Sequence, residues 1–253
     1  MQLQRSIINR FPRIKEALRP IYYFMQGLPP ISNSRISSEV IRNLIRKPNP
    51  IILEIGCNDG GHTLWLNEIF ESPTIYCFEP DPRAIVRFGE RVGNRSNIHL
   101  NKIALSDRNG EVSFFPSDGD RPAHDAEGTP AMPEGWDLSG SIRRPKNHLK
   151  KVSWVRFGRT ISVKTKTLDT WCDENGIEAI DFIWMDVQGA ELDVFRGGKR
   201  ALSNTRYIYT EYSNSELYEG QAKLRELIRY LNCYSVVTRY PDDLLLKNRI
   251  HIH

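Results

Sequence analysis

Ile51-Ile52-Leu53-Glu54-Ile55-Gly56-Cys57-Asn58-Asp59-Gly60-Gly61 joins a continuous apolar run to an acid and a glycine-rich turn. An amphipathic segment follows from about His62 to Phe70, and Ile75-Tyr76-Cys77-Phe78-Glu79-Pro80 is a second apolar run that closes on an acid. The pattern predicts strand, turn, helix and strand, ending on a carboxylate about 20 residues past the turn, which is how an α/β fold holds a ribose. The expectation is a ligand that contains a nucleoside.

The turn also bears on which nucleoside. A pyrophosphate is met by Gly-x-Gly-x-x-Gly, whose small residues let the backbone approach it at a helix N-terminus. Here the glycines fall at 56 and 60, Asn58 stands where the second should be, and Glu54 and Asp59 add negative charge. A ligand with a ribose, a positive charge and no phosphate fits better, and S-adenosylmethionine (SAM) is one. A phosphate-bearing nucleotide, or a bare turn in some other α/β domain, stays open on this stretch alone, because a lone glycine motif is weak evidence.

At 253 residues the chain can form one large α/β domain or two small ones. Its 26% charged and 40% apolar residues exclude a disordered or fibrous class. A net charge of +4 is an ordinary solvated surface and does not call for nucleic acid. Cys57, Cys77, Cys172 and Cys233 form no Cys-x-x-Cys pair, and two lie inside apolar runs, so a reducing compartment is expected. The N-terminus carries Arg5, Arg10, Arg13, Lys15 and Arg19 but no signal-like apolar stretch, and no run approaches the roughly 20 residues of a membrane span. A cytoplasmic protein without an integral membrane segment is the expectation.

Residues 1–50 read as a helical extension. Ile7, Ile8, Phe11, Ile14 and Leu18 recur at helical spacing opposite the basic residues. Such a helix can touch a membrane surface, but packing on the body, or on a second copy in a homo-oligomer, is the favoured reading. Leu28-Pro29-Pro30 interrupts it, Ser37 to Ile45 resumes as a second helix, and Pro48 and Pro50 precede the first strand. The remainder, 51–253, reads as one catalytic domain.

Beyond Glu79 the patterns predict a helix over 82–91, a strand with its exit loop over 97–106 and a strand over 111–115. Regularity lapses from Pro116 to Thr160 under five prolines and five glycines. Trp136, Trp154 and the basic cluster Arg143-Arg144-Lys146-His148 make this stretch a candidate substrate lid suited to glycan or anionic acceptors. Order returns with a strand over 161–165 and a short helix from Thr167 capped by Asp169. Ile180 to Asp186 is a strongly apolar strand, Gly189 to Arg196 a turn and helix, and 207–211 a strand. A helix over 216–231 and a closing antiparallel pair near 235–240 and 244–247 complete the chain. Strand and helix alternate, so a parallel sheet is expected. Glu54, Glu79, Asp186 and Glu211 should then line one crevice at the carboxyl ends of its strands.

The block Ile180-Asp181-Phe182-Ile183-Trp184-Met185-Asp186-Val187-Gln188-Gly189-Ala190-Glu191-Leu192-Asp193-Val194-Phe195-Arg196-Gly197, preceded by Leu168-Asp169, resembles the hallmark of the FkbM family of SAM-dependent methyltransferases. Glu54-x-Gly56-x-Asn58, Phe78-Glu79-Pro80-Asp81-Pro82, Ala104-Leu105-Ser106-Asp107 and Ser139-Gly140-Ser141 support it. The resemblance covers about 51–247 and implies a doubly wound α/β fold. Its sheet is Rossmann-like, mostly parallel and seven-stranded, with an antiparallel C-terminal hairpin. It implies methyl transfer from SAM to a hydroxyl, often of a sugar. Two departures stand out: Glu54 replaces the usual aspartate, and Trp184 stands where the family commonly has lysine.

On this resemblance Glu79 takes the ribose hydroxyls, the turn Gly56-Cys57-Asn58-Asp59-Gly60 lies beneath the methionine part, and Ser106 and Asp107 lie near the adenine. Glu54, Thr63, Pro80, Ala104, Ser141, Asp186 and Gln188 complete the expected cofactor site. Aligning oxygen, methyl carbon and sulfur is the main catalytic task, and a base helps a sugar hydroxyl react. Asp186 is the first candidate base, or it holds the methionine amino group; Glu211 and His148 are rivals. Asp186, Glu191 and Glu211 would also suit magnesium, but the expected site holds no metal, since Glu191 sits a helical turn beyond the strand. A nucleotide-sugar or NAD-dependent oxidoreductase, a nucleic-acid methyltransferase and a non-catalytic SAM-binding module are the competing readings.

Overall fold

The computed structural model describes residues 28–120 and 135–250. In chain order the first elements are α1 (Ser38–Ile45), β1 (Ile51–Ile55), α2 (Gly61–Ile69), β2 (Thr74–Phe78), α3 (Pro82–Val92) and β3 (Ile98–Asn101). Then come β4 (Ala104–Leu105), β5 (Gly110–Phe114), β6 (Ser117–Asp118), α4 (His148–Lys151), β7 (Arg156–Phe157), β8 (Ile161–Lys166) and α5 (Leu168–Asn175). The chain closes with β9 (Ile180–Met185), α6 (Glu191–Gly197), α7 (Lys199–Ser203), β10 (Thr205–Glu211), α8 (Leu224–Tyr230), β11 (Tyr234–Arg239) and β12 (Asp243–Asn248).

Seven strands form one sheet in the order β11-β12-β10-β9-β1-β2-β3. From β3 to β10 the pairs are parallel, while β12 runs antiparallel to β10 and β11 antiparallel to β12. This is the expected mostly parallel sheet with a closing hairpin. A central parallel strand is covered on both faces, so its residues are mostly apolar, and β9, with Asp181 its one charged residue, is buried along its whole length. One face packs Leu53, Ile55, Ile183 and Ile208 against Leu168, Val194, Phe195 and Leu227. The other packs Ile52, Ile75, Phe182 and Trp184 against Ile41, Ile45, Leu66 and Phe88. Helices therefore cover both sides, and strand ends meet at one edge of the sandwich.

α1 is capped by Ser37, whose hydroxyl accepts from Val40 N at 3.3 Å. Ile41 and Ile45 are fully buried on the body, which stabilises the attachment by roughly 3–6 kcal/mol at ~1.5–3 kcal/mol per side chain. Upstream, Ser32 N donates to Arg239 O at 2.7 Å, so the linker before α1 runs beside β11. The amphipathic segment around Ile7 to Leu18, with its membrane and oligomer readings, lies outside the described residues. Among the described residues no helix is long and apolar enough to cross a membrane.

Four local expectations change. β4, β5 and β8 leave the main sheet and form a separate three-stranded one. α5 is capped by Thr167, whose hydroxyl accepts from Thr170 N at 3.1 Å. Asp169 instead caps α7, accepting from Ala201 N at 2.8 Å and Arg200 N at 3.2 Å. The helix expected over 216–231 begins only at Leu224. Segment 216–221 pairs instead with 143–148: Lys146 N and His148 N donate to Leu217 O, and Glu219 N to Arg144 O. These tertiary hydrogen bonds override the helical periodicity.

The fourth concerns 116–160. Its described part is an ordered excursion in which β6 pairs with β7 and Trp136 meets Trp154 edge to face at 4.9 Å. Its basic cluster is spent internally. Arg143 forms a bidentate pair with Asp193 at 2.7 and 2.8 Å, Lys146 pairs with Glu216 at 2.7 Å, and Arg144 lies 3.9 Å from Glu219. Those ion pairs tie the excursion to the body, and Arg144 stays largely exposed.

Candidate active site

At the carboxyl ends of β1, β2 and β9 a cavity is lined by Gly56, Asn58, Glu79, Pro80 and Ala104, by Asp137 and Ser141 from the excursion, and by Asp186 and Gln188. Gly56 has φ +86°, and a Cβ there would fall 1.8 Å from Asp186 O, so glycine lets two strand ends meet. Asp186 N donates to Ile55 O at 2.9 Å across this contact.

Five backbone amides of the turn are already committed. Gly56 N and Cys57 N donate to Phe78 O, Asn58 N to Glu79 Oε2, Gly60 N to Cys57 O, and Gly61 N to Asp59 Oδ1. A phosphate cradle needs such groups open. The lining also holds three acids, Glu79, Asp137 and Asp186, and no lysine or arginine, although Arg87, outside the lining, pairs with Asp137. A pyrophosphate would be repelled here, whereas a ribose and a sulfonium suit the donor set.

Glu79 is 6% exposed and accepts from Asn58 N and Asp81 N, both at 2.8 Å. Burial pushes its carboxyl up to about 8, against the pull of those two amides. Each oxygen keeps a lone pair for a ribose hydroxyl. Asn58 Oδ1 is buried without a hydrogen-bond partner and can take a donor from a ligand. Ile103, Leu105, Phe114 and Ile142 supply apolar walls for a flat base. The free space is about 80 Å³, less than the ~300 Å³ or more of ligand sites of this kind. A nucleoside would fit only with a wall displaced, and Leu138, at 38% exposed, is the most exposed side chain of that lining.

Asp186 also faces a second cleft, of about 740 Å³. Its walls are Arg35 from the N-terminal linker, His62 and Trp65 of α2, Trp184, Tyr209 and Glu211 of β9 and β10, and Tyr240 to Asp243 at the β11–β12 turn. Gln188, held at φ +50°, ties the two carboxyls together: its Nε2 donates to Asp186 Oδ1 at 2.7 Å and to Glu211 Oε2 at 3.1 Å. Tyr218 OH donates to Gln188 Oε1 at 3.1 Å and so fixes the amide orientation. Removal from water raises Asp186, and it raises Glu211 well above the carboxylate range, with neighbouring Asp186 as the next cause.

Seven of the expected cofactor residues line no part of this cavity. Glu54 is the penultimate residue of β1, and strand alternation turns its side chain into the core beneath α2, where it accepts from Thr63 Oγ1. Cys57 is buried, and Gly60 packs under Phe88 and Val92. Asp59 pairs with Arg91 at 2.8 Å. Ser106 and Asp107 line a neighbouring polar cleft with Arg108 and Glu111. Of the four strand-end acids, three therefore face the joined cavities and Glu54 does not. His148 is also displaced: its ring packs against Phe157 and Tyr218 and lines neither cavity.

Burial pushes Glu54 up to about 8, so the folded protein holds it as the neutral acid at pH 7. Its folded value lies above its unfolded one, so its contribution to stability is complete below about pH 4.5 and is lost as pH rises through about 8. Glu54→Gln, which cannot ionise, should fold and should remove about one proton's worth of slope, roughly 1.4 kcal/mol per pH unit. Urea unfolding at intervals between those pH limits checks this; an unchanged slope would place a charged carboxylate in the core.

Glu191 turns back to accept from Gly189 N at 3.0 Å, and burial raises it to about 7. Among the described residues no three His, Cys, Asp or Glu side chains are grouped to hold a metal ion. Asp137, His62, Trp65 and Tyr240 were not anticipated. Asp137 lies in the stretch without periodicity, and it accepts from Asn58 Nδ2 at 3.2 Å while pairing with Arg87.

The chain is 47% identical over 230 residues to 2-O-methyltransferase NoeI of Sinorhizobium fredii (strain NBRC 101917 / NGR234), covering 89% of this chain and 90% of that one. Among solved structures, N-methyltransferase NodS from Bradyrhizobium japonicum WM9 in complex with S-adenosyl-l-homocysteine aligns with TM-score 0.42 and 14% identity, over 83% of this chain and 82% of that one. An rRNA methylase from Streptococcus thermophilus aligns with TM-score 0.42 and 10% identity, over 85% and 99%. Residues 54–239 match the Methyltransferase FkbM domain. The chain therefore belongs to the FkbM methyltransferase family and is a methyltransferase.

Proposed function

We propose that this methyltransferase moves the methyl group of SAM to a hydroxyl oxygen of a sugar. The observation that carries the reading is that Asp186 lines both cavities, so a group bound on one side meets a group bound on the other at this residue. The NoeI relative, named as a 2-O-methyltransferase, supports oxygen as the acceptor atom.

When bound, SAM supplies an electrophilic methyl on a positively charged sulfur. Glu79 would hold the ribose hydroxyls, and Asn58 Oδ1 would take a further donor. The Gly56 turn would support the amino-acid part. Asp186 would orient the acceptor hydroxyl and accept its proton, its carboxylate aimed by Gln188 and Tyr218. The committed amides of the turn and the acidic lining argue against NAD and nucleotide sugars, and the family assignment removes the oxidoreductase reading.

Calorimetric titration of the full chain with SAM and, separately, with NAD tests the cofactor. SAM is expected to bind with micromolar affinity, about −8 kcal/mol, and NAD to give no heat. Binding of NAD in preference to SAM would overturn the reading.

A further inference from the structure

The second cleft carries a charge pattern that bears on the acceptor. Asp186, Glu211, Asp242 and Asp243 line it, against Arg35 as the only lysine or arginine among the described residues that do so. The acids crowd one another: Asp243 pairs with Glu211 across β10 and β12, and Gln188 bridges Glu211 to Asp186. The cleft's other surface is aromatic. Trp65 meets Trp184 edge to face at 5.6 Å, Trp184 lies 4.4 Å from Tyr209, and Tyr209 lies 5.7 Å from Tyr240. Rigid ring faces and edges among a few polar groups make a binding site for a compact ligand with both apolar and hydroxyl surfaces. The volume admits such a ligand, and the cleft ends at Asp186, where the cofactor cavity begins.

We infer that this cleft, rather than the excursion over 116–160, is the acceptor site, and that its carboxyl groups select an uncharged sugar and reject one bearing a carboxylate, sulfate or phosphate. The inference rests on the methyl-transfer reading above and extends it to the acceptor's location and charge. An anionic acceptor would stand beside Asp186, Asp242 and Asp243, with Glu211 holding its proton, in partly desolvated surroundings, where like charges repel far more than in water. Burial and neighbouring Asp186 already raise Glu211 well above its ordinary range, so an added negative charge meets an environment that resists the ones present. Arg35 is an exposed side chain at the rim and offsets one of these charges. The basic cluster of the excursion is engaged with Asp193, Glu216 and Glu219 and is not available to balance the rest.

The test uses one neutral oligosaccharide pool before and after chemical oxidation of its primary hydroxyls to carboxylates, so that the two samples differ chiefly in charge. The full chain is given methyl-labelled SAM with each. Label is expected to enter the neutral pool at least about tenfold faster, the preference weakening in high salt. Asp242→Lys is the informative variant, because Asp242 is exposed and its main-chain oxygen, which accepts from Tyr212 N at 2.8 Å, is kept. It should cut the preference about fivefold or more without changing SAM affinity. Trp65→Ala should raise the KM for the neutral pool at unchanged SAM affinity. Equal labelling of both pools, or an unaltered preference in Asp242→Lys, would overturn the inference and leave methyl transfer to sugars standing. Label in neither pool, with SAM still bound, would remove the sugar reading and the inference together.

Discussion

Glu79→Gln is expected to weaken SAM binding by at least about 100-fold while the chain still folds. The carboxylate has two jobs in the structure. Its oxygens accept from Asn58 N and Asp81 N, which shape the turn after β1 and the start of α3. The same oxygens line the cavity at the end of β2, the point where an α/β sheet holds a ribose. Glutamine keeps the size but offers one acceptor and turns an NH2 group toward a backbone N–H. Ribose hydroxyls that donate to this carboxyl favour its ionised form, and hydrogen bonds to a charged group contribute ~1.5–3 kcal/mol each, so losing a pair costs two or more decades of affinity. Glu79→Ala is the less informative variant, because it also strands two buried amides at ~1–3 kcal/mol apiece and so mixes binding with stability. SAM affinity within a few-fold of wild type in Glu79→Gln would refute the ribose assignment.

The second large effect is expected at Asp186. Asp186→Asn should lower turnover by about 10²–10⁴-fold, the usual worth of a positioned proton acceptor, with SAM affinity changed less than about tenfold. The geometry explains why the substitution should be tolerated structurally: asparagine retains an oxygen for Gln188 Nε2, and the side chain is half-buried at the junction of two cavities. What is lost is the negative charge. A fall in SAM affinity that matches the fall in turnover would instead assign Asp186 to the methionine amino group. Near-normal methylation would clear it of both roles. The pair with Glu211 predicts that Glu211→Gln has a smaller effect, since its own proton is held tightly by burial and by Asp186.

Much of the sheet is legible along the chain because its central strands are continuous apolar runs that end in acids. β1, β2, β9 and β10 fall where those runs lie, and Gly56 and Asn58 adopt positive φ, as the turn after β1 demands. The acids were harder to assign, since a carboxylate's direction depends on parity within the strand. Glu54 lies one residue inside β1 and faces α2, whereas Glu79 and Asp186 lie one residue beyond β2 and β9 and face the cavity. Asp169 reads as a cap and is one, but for α7, some 30 residues downstream in space-filling contact that no local pattern reports. The stretch over 216–221 has helical spacing, yet its backbone finds partners at Arg144, Lys146 and His148.

The second cleft was the least visible feature. Its walls come from the linker before α1, one face of α2, the ends of β9 and β10 and the β11–β12 turn, which only the fold brings together. The one hint was Trp184, in the position where the family commonly has lysine. In the structure that indole supports His62, Trp65 and Tyr209 and so forms the aromatic base of the cleft. The excursion over 116–160, expected to choose the acceptor, contributes Asp137, Leu138 and Ser141 to the cavity at the ends of β1, β2 and β9.

The central claim is that cofactor and acceptor lie on opposite sides of Asp186. A crystal structure of the full chain with S-adenosylhomocysteine tests it most directly. The account predicts ribose hydroxyls on the Glu79 carboxylate, the adenine among Ile103, Leu105 and Ile142, and the sulfur directed at Asp186 with the Trp65–Trp184 cleft left open. Adenosylhomocysteine lodged in that cleft, or a ribose held away from Glu79, would contradict it.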